Sequence, residues 1–418
     1  METIMSSEIL PPKEIALSNL LPSEPLLLMG AGPVPIPHAV AQANGVVINH
    51  LGDTMDQVIQ RVKLMSQYAF QTRSDKIIGV AGPSSAAMEM AITNVLWPGK
   101  RVLVIDMGTF SNRFGEMAEG IGAEVDYLSA KSRPDHESAT KPPHAITLEG
   151  VQRALAEKQY DVVTMAQGET SCGMFNSILP EIAATAKEHG ALVIVDAVCT
   201  LSTMPLKMDA WNLDIVVTGG QKGLSSIPGV SVLAFSETAW NIIETRENKC
   251  PHWCLDATRA QKFWGHQQYH YTAPVPGILA LHEALRLICT ETLENRFERH
   301  ELSSKALQAG IEAMGLSLFV KEEHRLNSVV AINLPEGADS AAIRNYMVER
   351  FNVEISGAFG LNIIRIGQMG EQCRSHNLFK VLYALGMSFK KNGFEVDIAQ
   401  GMAALETNLV RDLDHFVD

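Results

Sequence analysis

Two charged residues stand where an unpaired charge is costly, and they define the chemistry to look for. In ALVIVDAV, Asp196 comes directly off a wholly apolar run. A carboxylate there must meet a cation or a metal, or open onto a cleft. In DIVVTGGQKGLSSIPG, Asp214 to Gly229, Lys222 sits among glycines, small hydroxyls and apolar residues with no nearby acid. Such surroundings disfavour the charged form of lysine and leave a usable amine nucleophile near neutral pH. No G-x-x-x-x-G-K-[ST] loop is present, so Asp196 is not read as part of a magnesium-nucleotide site, and an organic cation is its better partner.

Weaker signals accompany these two. AGPSSAAMEM places Ser84 and Ser85 at the start of a helix, either as a plain N-cap or as part of an anion cradle formed by unpaired N–H groups. GTFSNRFG puts Phe110 at a strand-to-helix turn, where its face packs as core or covers a flat ring. QGETSCG adds the hydroxyls of Thr170 and Ser171. MGAGPVP lacks the third glycine of a dinucleotide fingerprint, and Pro33, Pro35 and Pro37 oppose an immediate helix. CPHWC, Cys250 to Cys254 with His252 between, has no second ligand pair nearby, so no metal site is assigned.

The elements that must position these residues follow from the pattern. KIIGVAG, RVLVIDM, EVDYL, YDVVTMA, ALVIVDAV, LDIVVTGG and VSVLAFS are apolar runs separated by amphipathic stretches. That alternation predicts an α/β fold, a doubly wound and mostly parallel sheet whose ligands bind beyond the carboxyl ends of its strands. After APVPG, a long helical stretch precedes short strands SLFVK, SVVAINL and IIRIG, with helices at 341–350 and 372–391. The expected organisation is an N-terminal arm over 1–25, a large α/β domain over 26–275, a smaller α+β domain over 276–395 and a tail over 396–418. SAKSRPDHESATKPPHA, Ser129 to Ala145, reads as a solvated excursion.

The strand-end Asp in VDAV, the lysine in GGQKGLSSIPG one strand unit later, and GETSCG before them resemble the class V aminotransferases of pyridoxal phosphate fold type I. The match is closest to their alanine/serine:glyoxylate (serine:pyruvate) branch, and it runs from LLLMGAGPVPIP to IIRIGQMG. The resemblance implies pyridoxal 5'-phosphate joined to Lys222 as a Schiff base, with Asp196 on the pyridine nitrogen. It implies Phe110 stacked on the ring, Thr170 at the ring hydroxyl, and Ser84, Ser85, Ala86 and Gln221 at the phosphate. Tyr269 and Thr272, in QQYHYTAPV, match positions that reach a neighbouring subunit's cofactor, which implies a homodimer with shared sites. Arg365 matches the clamp on the substrate α-carboxylate, and Gly32 the segment lining the substrate pocket.

One position departs from the pattern: the family's phosphate loop reads Ser-Gly-Thr or Ser-Gly-His where this chain has Pro83, Ser84 and Ser85. Proline removes a backbone donor. The implied activity is transfer of an amino group from alanine or serine to glyoxylate or pyruvate. Ureidoglycine:glyoxylate and pyridoxamine:pyruvate aminotransferases are the alternatives within the superfamily, and a non-catalytic cofactor-binding regulator the one outside it. A desulfurase would need a loop cysteine that SGAFGLN lacks.

Composition agrees with this reading. A formal net charge of −13 repels phosphate backbones and anionic lipid, against nucleic-acid and membrane partners. Six scattered cysteines form no disulfide framework, and no leader pattern or run of about 18 apolar residues occurs, so a cytoplasmic protein is expected.

Overall fold

The computed structural model describes residues 12–129 and 145–410. The first residues of the expected arm, most of the Ser129 to Ala145 excursion and the last residues of the expected tail lie outside the described residues.

Seven apolar runs form one sheet: β1 (Ile77–Ala81), β2 (Arg101–Asp106), β3 (Glu124–Ser129), β4 (Val162–Ala166), β5 (Leu192–Asp196), β6 (Ile215–Gly219) and β7 (Val230–Phe235). Their spatial order is β1-β7-β6-β5-β4-β2-β3. Every pairing is parallel except those of β7, which runs antiparallel to both β1 and β6. Strands β4 to β7 are buried at every position, whereas edge strand β3 shows no fully buried residue. Central strands covered on both faces need continuous apolar runs, which is why these segments lack alternation. In-register pairing of Ala166 with Asp196 and of Asp196 with Val217 brings the carboxyl ends of β4, β5 and β6 to one edge. Asp196 therefore sits at the centre of that edge, and Lys222 follows three residues after β6.

The largest apolar cluster surrounds this sheet and includes Ile278, Leu281, Leu285 and Ile288 from the helix Val275–Glu291. A second cluster gathers Ile332, Ile364, Leu382 and Leu405 around the antiparallel strands Val329–Asn333 and Ile363–Gly367. Met29 joins it because Leu27–Leu28 pairs in parallel with Val353–Glu354. The N-terminal segment thus crosses from the second cluster to the lysine loop, where Val34 N–H donates to Gln221 O. The helix Ile398–Val410 lies against Leu293–Ala313, with Gly310 close against Gly401.

Two expectations change. SLFVK forms no strand of its own: Leu318 makes a single bridge to Ile332 before the chain turns into the 3-10 helix Glu322–His324. The helical stretch after APVPG is two helices, because Thr292 adopts φ 69° and separates Val275–Glu291 from Leu293–Ala313. Among the described residues, no helix is long and apolar enough to cross a membrane.

Candidate active site

The carboxyl edge of the sheet opens into a cleft lined by Ser84, Ser85, Phe110, Thr170, Asp196, Gln221 and Lys222. Seven expected residues from five separate chain segments therefore meet in one place. Gly32 stands at its wall: its φ is +100°, and a Cβ there would lie 2.6–2.7 Å from the outer atoms of the Lys222 side chain. Lys222 Nζ donates to the Ala31 carbonyl in the same segment and lies 5.9 Å from the Phe110 ring centroid. Burial lowers the proton affinity of the amine, Cys199 and Asp196 pull it back upward, and the cations Arg365 and Arg113 lower it further.

Asp196 is 7% exposed. Among the described residues, its carboxylate accepts one hydrogen bond, from Val198 N–H at 2.8 Å. Burial pushes its pKa up to about 7; the Val198 N–H opposes the rise, and the charge of Glu169 adds to it. A nearly unpartnered carboxylate of this kind is suited to a group that brings its own cationic N–H.

The helix Ser84–Val95 begins at the cleft with no side-chain cap. Ser84 Oγ accepts from Gln221 Nε2 at 2.8 Å, and Gln221 Oε1 is buried without a partner among the described residues. Gly219 leaves room for Ser84, since a Cβ there would overlap the Ser84 hydroxyl. Ala86 N–H donates to Pro83 O at 2.8 Å, and Ala86 does not line the cleft.

Arg365, on the strand Ile363–Gly367, does not itself line the cleft but stands directly behind Thr170, which does. Its Nη1 donates to Thr170 O at 2.6 Å, its Nε donates to Gly357 O at 2.8 Å, and Nη2 also donates to Gly357 O. The guanidinium lies 5.9 Å from the ring of the exposed Phe359, which in turn stands edge-on to Phe110 at 6.5 Å. Tyr269 and Thr272 are exposed and do not line the cleft; Tyr269 is edge-on to His50 at 5.9 Å.

Three residues at the site were not singled out from the sequence. Glu169 is fully buried, and its carboxylate accepts from the Phe110, Ser111 and Ser171 N–H groups and from the Ser111 and Ser171 hydroxyls. It ties the turn that carries Phe110 to the segment that carries Thr170. An acid in a small-residue segment just past an apolar strand was its signal, the same one that marks Asp196. Arg113 lies 4.7 Å from the Phe110 centroid, with Nη1 3.5 Å from Ser85 Oγ. One helical turn from an expected ring-stacking residue was its only signal. Cys199 lines the cleft with a thiol that burial pushes up to about 12, and nothing in VDAVCT distinguishes it from a core residue.

Chemically, the site offers a buried amine, a buried carboxylate, an aromatic face, an uncapped helix start and a guanidinium at one cleft. Comparison with known proteins gives that set a context. The family model for aminotransferase class V matches residues 38–389. The alanine–glyoxylate aminotransferase of Callithrix jacchus is 33% identical over 394 residues, covering 92% of each chain. The crystal structure of ureidoglycine-glyoxylate aminotransferase from Bacillus subtilis superposes with a TM-score of 0.87 at 28% identity, over 93% of this chain and 99% of that one. That of pyridoxamine-pyruvate aminotransferase from Mesorhizobium loti gives 0.85 at 25% identity, over 93% and 98%.

Proposed function

The chain belongs to the class V aminotransferases, and from that premise we propose that it moves an amino group from alanine or serine to glyoxylate or pyruvate, with pyridoxal 5'-phosphate held at the Lys222 cleft. The observation that carries this reading is the buried Lys222 amine and the nearly unpartnered Asp196 carboxylate lining one cleft. The residues present fit the cofactor. Asp196 would hold a proton on the ring nitrogen, Phe110 would cover the ring, and Thr170 would stand at its hydroxyl. The uncapped start of Ser84–Val95, with the Ser84 and Ser85 hydroxyls and Gln221, would take the phosphate.

When bound, the cofactor supplies an aldehyde carbon that takes up the amino group and a ring that accepts the electron pair left by the breaking Cα–H bond. The protein supplies the rest. Burial lowers the proton affinity of Lys222, so its Nζ sheds a proton more readily than an exposed lysine and would take the substrate α-proton and return it. Arg365 would receive the α-carboxylate through its guanidinium fork, fixing which bond to Cα faces Lys222.

Ureidoglycine and pyridoxamine are the rival amino donors, and Pro83 is the observation that bears on the second. It removes a phosphate-loop N–H, a change that an unphosphorylated ring would tolerate. Retained hydroxyls at Ser84 and Ser85 favour bound phosphate. We further propose a homodimer in which Tyr269 and Thr272 reach the partner's cofactor, which accounts for their exposure in the single chain. Residues 26–275 would hold the cofactor, 276–395 would bring Arg365, and 1–25 and 396–418 would form the arm and tail. The unpaired cysteines suit a cytoplasmic setting.

The test is direct. Purified protein should show visible cofactor absorbance that borohydride bleaches, and should transaminate alanine or serine in preference to ureidoglycine or pyridoxamine. Lys222→Ala should abolish turnover; a variant retaining full turnover would end the reading.

A further inference from the structure

Away from the cleft, a buried charge cluster joins the three loops that carry the site. Glu291 ends one helix, and the left-handed Thr292 turns the chain so that Arg296 and Arg299, one turn into the next helix, face back onto its carboxylate. Arg296 Nη1 donates to Glu291 Oε2 at 2.8 Å; Arg299 donates through Nε to Oε1 at 2.5 Å and through Nη2 to Oε2 at 3.1 Å. Both arginines are buried. One acid thus orients two guanidiniums, whose remaining donors reach different loops.

Arg296 reads the lysine side. Its Nε donates to Ser202 Oγ at 3.1 Å, and its Nη2 to Gly223 O at 3.0 Å and Ser225 Oγ at 3.2 Å. Ser202 lies in the loop after Asp196 and Ser225 in the loop after Lys222, and both adopt left-handed backbone, with φ 69° and 59°. Serine enters that region at a cost, so these turns need outside support. Ser202 Oγ also donates to Gly223 O at 2.8 Å, which closes the two loops on each other.

Arg299 reads the other side. Its Nη1 donates to Gly370 O at 2.9 Å, in the loop that follows the Arg365 strand. Gly370 N–H donates to His300 Nε2 at 2.9 Å, which leaves Nδ1 to donate to Arg296 O at 2.6 Å; the imidazole is therefore neutral with a fixed tautomer.

We propose that Arg296 and Arg299 are positioning residues with separate duties, Arg296 fixing the loop that carries Lys222 and Arg299 fixing the loop behind Arg365. This rests on the roles proposed for Lys222 and Arg365 and goes beyond them. The clamp is permanent, not a pH switch. Burial pushes the Glu291 carboxyl upward, but the hydrogen bonds and charges of Arg299 and Arg296 outweigh it and bring it to about 2, so it stays ionised at any working pH.

Separate duties predict a split that general destabilisation would not produce. In the holoenzyme, Arg296→Met should lower kcat about tenfold or more with KM within about threefold, because the proton-transferring amine loses its position. Arg299→Met should raise KM for both amino and oxo acid about tenfold with kcat nearly kept. Hydrogen exchange supplies a readout independent of turnover: because Gly370 packs against Ser225, some loss is shared, but residues 222–226 should lose more protection in Arg296→Met and 368–373 more in Arg299→Met. Should Arg296→Met fail to fold, Ser225→Ala removes one of its lysine-side acceptors and should lower kcat without moving KM. Equal losses of kcat and KM in both methionine variants, or protection lost equally in both loops, would overturn the assignment. Turnover by Lys222→Ala would instead undo the underlying functional reading, and the exchange pattern would still judge the clamp.

Discussion

Replacing Asp196 by asparagine tests a buried carboxylate that the described residues leave nearly unpartnered. This carboxylate ends β5 with the Val198 N–H as its one donor among the described residues, and its pKa is pushed up to about 7 from the ordinary 3.8. The sign follows from linkage. With the folded pKa above the unfolded one, the native state binds the extra proton between those values, so the group's contribution is intact below about pH 4 and is lost as pH rises through 7. At 1.36 kcal/mol per pH unit, the loss between pH 5 and pH 8 is about 3 kcal/mol. Asparagine has the same shape and does not titrate. The stability of cofactor-stripped Asp196→Asn minus that of wild type should therefore rise by about 3 kcal/mol from pH 5 to pH 8. Urea titrations of both proteins at each pH and one protein concentration measure this double difference, which cancels the titrating groups that do not interact with Asp196 and the altered bond to Val198. Added pyridoxal phosphate should stabilise wild type at pH 8 more than the variant, because only the carboxylate gains from a ring N–H. A stability difference that does not change with pH would refute the account of Asp196 as a buried carboxylate awaiting a cation.

Two further outcomes are expected. Arg365→Ala should raise KM for α-carboxylate substrates by roughly 10- to 100-fold, the worth of a charge-assisted hydrogen bond, and an unchanged KM would remove Arg365 from the substrate site. Neither Lys222→Ala nor Tyr269→Ala homodimers should turn over well, but hybrids of the two should regain activity at one site, where an intact Lys222 meets the other subunit's intact Tyr269. Hybrids no better than the parents would show that the sites are not shared.

What could be read from the sequence depended on how local each cause was. The seven sheet strands were legible because strands buried on both faces are continuous apolar runs. Asp196 and Lys222 were legible because charge at the end of such a run is improbable without a purpose. The break at Thr292 was not, since a β-branched residue with φ 69° has no local signature and the turn brings Glu291 back onto two arginines. SLFVK has strand composition, but whether it pairs is decided by its neighbour at Ile332. Glu169 carried the same signal as Asp196, and its neighbours Thr170 and Ser171 drew the reading instead. Its five donors come from two chain segments, Phe110 with Ser111 and Ser171, and the first of these lies far from Glu169 in sequence, which no local pattern could announce.

The glycines around Lys222 let its loop pack as closely as the role proposed for this lysine would require. Gly219, Gly220 and Gly223 are not among the residues with positive φ, so backbone conformation does not demand them. Space does. A Cβ on Gly219 would overlap the Ser84 hydroxyl, one on Gly220 the Ile227 carbonyl, and one on Gly223 the Leu201 carbonyl. The lysine loop is therefore packed on Ser84, on its own return and on the loop after Asp196, backbone to backbone in two of the three cases. Such contacts leave no rotamer to adjust, so the amine's position is set by main chain and by the guanidinium of Arg296 behind it. On the open side, Gly32 leaves the end of the Lys222 side chain just enough room. The arrangement fixes the backbone that bears the lysine and leaves space at its end, which is what the proton-carrying role proposed for Lys222 would require.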